Sequence, residues 1–542
     1  MPDLLQSLLD QDFGFLQILA DTWQVDAPHI DSLPERAALV RRMLDPVTFN
    51  KVLADLPESA GRVLAELQQN EGRILWNTFT RKFGEVRDFG AGKREREQPH
   101  LRPISPSEIL WYRALVSKAF LKRSGVPQEF AFIPSDVLDL LPPPAVTSIE
   151  SPAIKIDPRP SDYLAVSSGD DILDHTCTLL AALRLGSAAS DSVHLPIPPE
   201  QLSFLSSLLR TSRLLDDAGV PSPEEAKEHL EATRAAAWQS LFRAWSTSSS
   251  IRELLTISEF TVERAEGYSP VTARASILGE ISGLPVGEWI KFDDFLRQFR
   301  ETQAEFLRPD GNFDTWLIRS SESGEYLNGF GRWIDVEGAY IRFLLRGPMF
   351  WLGVVELGYS SHASVPACFR VTSPGHLMLL GASPDTKEEN ARILFKAGPQ
   401  ILCPPLLPRW VRYLLARMSE WTELTKDGYL YQFTPQSLSS ARKQTLHISH
   451  LVSLLRKYAA VPPPPSLVSS LQRWEDHGSE VSMENIQILR VVTPEILQAI
   501  MRSRASRYLA EPLGPTAVVI KPGVGPKLSR LLIELGYLSE IK

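Results

Sequence analysis

The sequence predicts a mainly α-helical, multi-domain protein with small β elements, of the α+β class. Three observations predict it. The chain has 542 residues, too many for one ordinary core, so roughly three or four domains are expected. Hydrophobic residues make up 43% of it, with 12 Trp and 23 Phe, enough to fill those cores and too many for a disordered chain. Apolar side chains recur at helical spacing, while 42 prolines stop one short element after another.

Residues 1–141 form the first expected domain. Leu4, Leu5, Leu8 and Leu9 give one apolar helical face, and Leu39, Val40, Met43 and Leu44 another. Residues 59–68 fit a further helix, and Gly72-Arg73-Ile74 begins a new element. Residues 109–119, with Trp111 and Tyr112, read as a helix, and residues 129–133 alternate like a strand. Helices followed by a short β element are what a winged-helix-like unit looks like. Between them, residues 81–102 carry Arg81, Lys82, Arg87, Lys93, Arg94, Arg96 and Arg102, interleaved with Phe83 and Phe89 and preceded by Phe79. Basic residues among aromatics suit a nucleic-acid backbone. A solvated loop is the other reading, because Glu85, Asp88, Glu95 and Glu97 cancel much of the charge.

Residues 142–160, opening on Pro142-Pro143-Pro144, read as a partly extended linker. A helical domain follows over 161–268, with helices expected at 171–185, 200–215 and 224–245. The last is a single long one, and the spacing of its Trp238, Leu241, Phe242 and Trp245 marks core packing. Residues 269–424 read as a second winged-helix-like domain. It has a helix at 273–281, another starting near Trp289, Phe292 and Phe295, and paired segments 340–345 and 350–357 ending at Gly358. A strand at 369–372, a helical turn at 375–380, a β-rich connector at 391–401 and a helix at 408–419 complete it.

The last domain spans 425–542. Thr434 before Pro435 starts a helix, since the hydroxyl caps free amides and a proline at the first position loses no hydrogen bond. Leu451, Leu454, Leu455 and Tyr458 mark a second helix from about Ile448. Pro462 to Pro465 stop it, and a third helix runs from about Ser466 through Trp474 to His477-Gly478. Residues 486–492 read as a strand, 493–495 as a helix start, 517–520 as a β-branched strand and 527–535 as a helix closed by Gly536.

This tail resembles the N-terminal domain of XPB-type DNA helicases and the bacterial helicase-associated domain. The residues that carry the resemblance are Phe433-Thr434-Pro435-Gln436-Ser437-Leu438, the proline break before Ser466, Trp474 with His477-Gly478, the Leu489-Arg490 strand, and Leu531 to Gly536-Tyr537. Many such domains carry a glycine after the first helix, where this chain has Lys443-Gln444-Thr445. Upstream, Phe79, Phe83-Gly84, Arg87 and Phe89-Gly90 match a recurrent loop of long bacterial relatives built from winged-helix-like units. The resemblance implies a domain that sits beside a helicase motor and engages DNA or partner proteins. The motor itself has no counterpart here: the chain has no G-x-x-x-x-G-K-[ST] phosphate loop, and no acidic box follows a hydrophobic strand.

Charge points the same way. The net charge is −8, so the whole chain is not a general polyanion binder. Yet Gly428 to Trp474 contains no Asp or Glu and carries Arg442, Lys443, Arg456, Lys457 and Arg473, with Arg490, Arg502, Arg504 and Arg507 beyond. Such a stretch suits phosphate contact or an acidic partner; a solvated helix face is the other reading.

Other constellations point to no chemistry. His447 and His450 share a helix face, but no third or fourth ligand is spaced to complete a zinc site. Pro522 to Lys527 reads as a strand-to-helix turn, although a glycine turn at a helix start can hold an anion. The acid pairs Asp170-Asp171 and Asp293-Asp294 suit helix N-termini. Three scattered cysteines, Cys177, Cys368 and Cys403, form no disulfide framework. No signal peptide, membrane span, catalytic constellation, cofactor or small-molecule substrate is expected, and the expected setting is a reducing cytoplasm. The expectation is therefore a non-enzymatic, helicase-associated protein. It binds DNA or docks on a separate helicase, transcription or repair protein, or serves as a scaffold that never touches nucleic acid.

Overall fold

The computed structural model describes residues 1–26, 32–123, 126–143, 163–186, 195–308, 311–360, 363–481 and 486–540, so most of the expected 142–160 linker lies outside it. The chain is about 49% helical and 15% strand, with several small sheets, which makes it mainly α with small β elements. It divides into two compact units. One comprises 1–393, 402–417 and 421–431; the other comprises 394–401, 418–420 and 432–542.

The first unit opens with five helices: Leu4–Ser7, Phe13–Thr22, Leu33–Met43, Pro46–Ala54 and Glu58–Gln69. Asp3, Asp12, Ser32 and Asp45 precede the first four in extended backbone, as capping residues do. Their apolar faces share a core that includes Leu4, Leu16, Leu19, Met43, Phe49, Leu67, Phe79, Tyr112 and Ile133. Strand Arg73–Leu75, helices Trp76–Phe83, Ala91–Glu97 and Pro106–Trp111, and strands Ser117–Arg123 and Val126–Phe132 follow. Val126–Phe132 is central, pairing antiparallel with both others; Phe132 faces Arg73 on one side and Ser117 on the other. The helix expected over 109–119 therefore stops at Trp111. Ala114 takes a left-handed conformation at φ 50, and residues 117–123 give their backbone to the hairpin.

The rest of this unit builds a second, larger core. Helices Asp171–Arg184, Pro199–Thr211, Pro223–Glu231 and Arg234–Ser246 come first. The last two replace the single helix expected over 224–245. Ala232 is extended, its carbonyl accepts from Arg409 Nη2 at 2.7 Å, and the Thr233 hydroxyl caps Ala236 N–H. Next come helix Pro270–Ser282, strand Ile290–Lys291, helices Phe292–Thr302 and Trp333–Arg346, and strands Val355–Ser360 and Cys368–Val371. Their sheet runs in the order Tyr163–Val166, Val355–Ser360, Cys368–Val371, Ile290–Lys291, all antiparallel. Residues 340–345 prove to be the end of a helix that begins at Trp333. Residues 350–357 hold the end of helix Pro348–Trp351 and the start of a strand.

Two segments of the first unit each run from a helix and a short strand through further helices to two strands, with the first strand paired to the last; the second also holds strand Leu317–Ser320 and helix Pro348–Trp351. In both, a helix ahead of the final two strands is sunk in the core. Ser107, Glu108, Leu110 and Trp111 are buried in one; Trp333, Val336, Tyr340 and Leu344 are buried in the other.

The second unit holds helices Pro435–Lys443, Ile448–Tyr458 and Pro465–His477. Thr434 and Ser437 form a reciprocal capping box, each side chain accepting the other's backbone N–H at 3.1 Å. A three-stranded antiparallel sheet follows, with Ala517–Ile520 between Gln487–Arg490 and Leu509–Gly514, and with helices Pro494–Met501 and Gly525–Glu534. Strand Leu509–Gly514 was not expected. Its Pro512 is a weak strand former, and it pairs through an irregular register. The core under this sheet is small, built on Leu497, Ile500, Ala505, Leu509, Val518, Leu528 and Leu532, while Leu438, Ile448, Leu451, Leu455 and Leu471 are buried on the three preceding helices.

Candidate nucleic-acid interface

The basic, aromatic-rich run near residue 90 folds inward. Arg94 is 4% exposed and holds Asp12 with both guanidinium ends, at 2.8 and 3.1 Å, over the Phe15 ring. Arg87 grips buried Glu108 at 2.8 Å through Nε and Nη2 and also reaches the Arg102 carbonyl at 2.7 Å. Gly84 makes this loop possible. It sits at φ +95, and a Cβ there would lie 2.5 Å from Ser105 Cβ. Arg81 pairs with Glu305 and stacks against Phe313 and Phe330, 5.2 and 4.8 Å from the ring centroids. Burial pushes the Arg81 pKa down. Lys82 pairs with Glu66. Lys93 lies over Phe89 at 3.9 Å and is exposed. The interleaved aromatics therefore support their own cations. Of the five candidates in this run, Arg81, Lys82, Arg87 and Arg94 are bound to acids within the fold.

The C-terminal candidates face outward. Arg442 and Lys443 occupy the last turn of helix Pro435–Lys443, Arg456 and Lys457 the last turn of Ile448–Tyr458, and all four are exposed. Helix Ile448–Tyr458, with 11 residues, is about 16 Å long at 1.5 Å per residue and carries the second pair at its end. Lys457 also lies 5.2 Å from the Tyr458 ring. Arg473 instead bonds to Glu480 at 2.5 and 3.3 Å. Arg490, Arg502, Arg504 and Arg507 are exposed further along, Arg507 over Tyr508 at 4.7 Å.

Sequence reading missed a set of buried ion pairs. Arg234 reaches Asp170 at 2.6 Å, Asp174 at 2.9 Å and Glu389 at 3.2 Å. Arg409 binds Glu389 at 2.7 Å, and Arg412 binds Thr178 at 2.8 Å and the Asp174 carbonyl at 2.6 Å. Burial alone would raise the Asp174 pKa, but Arg412 and Arg234 hold it below the usual range. Asp171 goes the other way: burial, with Asp174 and Asp170 beside it, pushes it up to about 6. Burial likewise raises the Cys177 thiol to about 11. Two further pairs, Arg274–Glu253 at 2.7 Å and Arg308–Glu337 at 2.6 Å, are almost wholly enclosed. Their signal in the sequence is a charge set within an apolar helical face, as with Arg274 between Ala273 and Ile277 or Arg412 beside Val411 and Leu415.

The remaining motifs take the following positions. His447 and His450 have ring centroids 5.8 Å apart, and His447 Nδ1 is 3.8 Å from Glu475. Among the described residues no three His, Cys, Asp or Glu are grouped to hold a metal. Asp170 precedes helix Asp171–Arg184 and anchors Arg234. Asp293 and Asp294 lie in the first turn of Phe292–Thr302, where Asp294 pairs with Arg297 at 3.0 Å. Residues 522–527 form the turn into helix Gly525–Glu534, with Gly523 at φ +73. Among the described residues no helix is long and apolar enough to cross a membrane. No protein-family model matches the chain, and no curated protein matches it.

Proposed function

We propose that the protein is a non-catalytic accessory factor that grips nucleic-acid backbone through its second unit and docks on a separate helicase, transcription or repair protein. The observation that carries this reading is the outward-facing set Arg442, Lys443, Arg456 and Lys457, in a stretch from Gly428 to Trp474 without one carboxylate side chain. Such cations displace condensed counterions from a phosphate backbone and recognise no sequence. Resemblance to the XPB-type helicase-associated domain supports the setting. Two segments in which a short strand, further helices and two strands follow a helix, the first strand pairing with the last, support winged-helix-like units. In units of that kind a helix enters a DNA groove. Here the helices Pro106–Trp111 and Trp333–Arg346 are largely buried, which favours packing and protein contact for the first unit and leaves DNA to the second. All three cysteines are buried and unbridged, in keeping with a reducing cytoplasm.

The test is DNA binding at several salt concentrations. Four phosphate contacts give a slope of log affinity on log salt near about −3.6. Arg456→Glu with Lys457→Glu should weaken binding and flatten the slope by about 2. An unchanged slope removes these residues from the interface. One observation favours the scaffold reading instead: all four cations lie in last helical turns, where the helix dipole alone favours positive charge. On that reading the wild type shows no salt-dependent DNA binding at all.

A further inference from the structure

Helices Pro223–Glu231 and Arg409–Met418 enclose, with Arg184 at the end of Asp171–Arg184, a cavity of about 350 Å³. Its lining is mixed. Trp410, Tyr413, Pro221 and Leu230 supply apolar and aromatic surface. Arg184, Arg417 and Lys227 supply cations, and Glu224 and Glu231 carboxylates. Arg417 lies 5.2 Å from the Tyr413 ring centroid, which sets it against one aromatic side chain of the lining. Burial pushes its pKa down, Tyr413 offsets part of that, and nearby Arg184 lowers it again. Both cations line one half-buried cavity, where like charges repel and an anion between them would relieve the repulsion.

The size and charge narrow the occupant. The volume lies at the low end of small-molecule sites, which run from about 300 to 1,000 Å³, so it suits one ring system with a short arm. Glu224 and Glu231, exposed on the rim, oppose a phosphodiester chain or any polyanion. We propose that this cavity binds a small aromatic acid, with its ring against Trp410 and Tyr413 and its single carboxylate between Arg184 and Arg417. The site lies among first-unit residues and does not rest on the nucleic-acid reading.

Calorimetric titration of the full chain with phenylacetate and indole-3-acetate, beside their neutral amides, tests it. The acids should bind saturably and the amides at least about tenfold more weakly, as expected when a charge-assisted hydrogen bond is lost. Arg184→Gln with Arg417→Gln should cost the acids at least about tenfold, while the amides change little. Lys227→Trp, at an exposed helical position on the cavity wall, should block acid and amide alike with both arginines intact. It decides the matter if the double variant fails to fold. Equal affinity for acid and amide, no saturable binding by either, or full binding in the Lys227→Trp protein overturns the proposal.

Discussion

His229 is 8% exposed on helix Pro223–Glu231, and its Nε2 has no hydrogen-bond partner among the described residues. Burial, reinforced by the Arg409 charge, pushes its pKa down to about 3. In the unfolded chain the imidazole titrates near about 6.5. Between those values the unfolded state holds a proton that the folded state refuses. Stability from this group is therefore complete above about pH 6.5 and falls as the pH drops toward 3, by up to about 1.4 kcal/mol per pH unit. Urea midpoints measured from pH 7.5 to 5 should show this acid limb, and His229→Leu should flatten it; an unaltered limb assigns it elsewhere. Arg274 makes a second prediction. It is fully enclosed, binding Glu253 through Nε and Nη2 and the carbonyls of Trp245 and Ser248 through Nη1. Arg274→Met strands the Glu253 charge, so a loss of about 3–5 kcal/mol in urea unfolding is expected. Adding Glu253→Gln should recover part of it, since the stranded charge is then gone.

Among the elements, the Thr434 cap ahead of helix Pro435–Lys443 was legible in the chain, because a Thr-Pro start uses only neighbouring residues; the answering Ser437 bond was not. Thr434→Ala should cost about 1 kcal/mol and speed amide exchange within residues 438–443. Unchanged exchange would mean that packing alone holds the helix start. Helices in general were readable for the same local reason: apolar spacing and caps are written side by side. The misses came from distant partners. Ala232 breaks a helix because Arg409 takes its carbonyl, and residues 117–123 become a strand because 126–132 folds back on them. The interface divides in the same way. Absence of acids around Arg442 and Arg456 is visible locally. Nothing near Arg94 or Arg81 announces that Asp12 and Glu305 hold them. Charge counted in a sequence window says little when the counter-charge arrives from elsewhere in the fold.

For the molecule as a whole, the two units differ sharply in core size, so their unfolding should separate. Of the 12 Trp, Trp474 alone falls within the second unit's residues, so intrinsic fluorescence reports mainly on the first. Far-ultraviolet dichroism reports on both. In urea the dichroism should begin to fall before the fluorescence does; superimposed curves would mean that the units unfold as one. The larger sheet carries a consequence of its own. Among the described residues, Tyr163–Val166 pairs only with Leu357–Ser360, far downstream. During synthesis this strand leaves the ribosome long before the segment that completes its hydrogen bonds. The nascent chain must keep an exposed β edge unmatched until translation has passed Ser360, which makes that interval the stage at which a chaperone has most to protect.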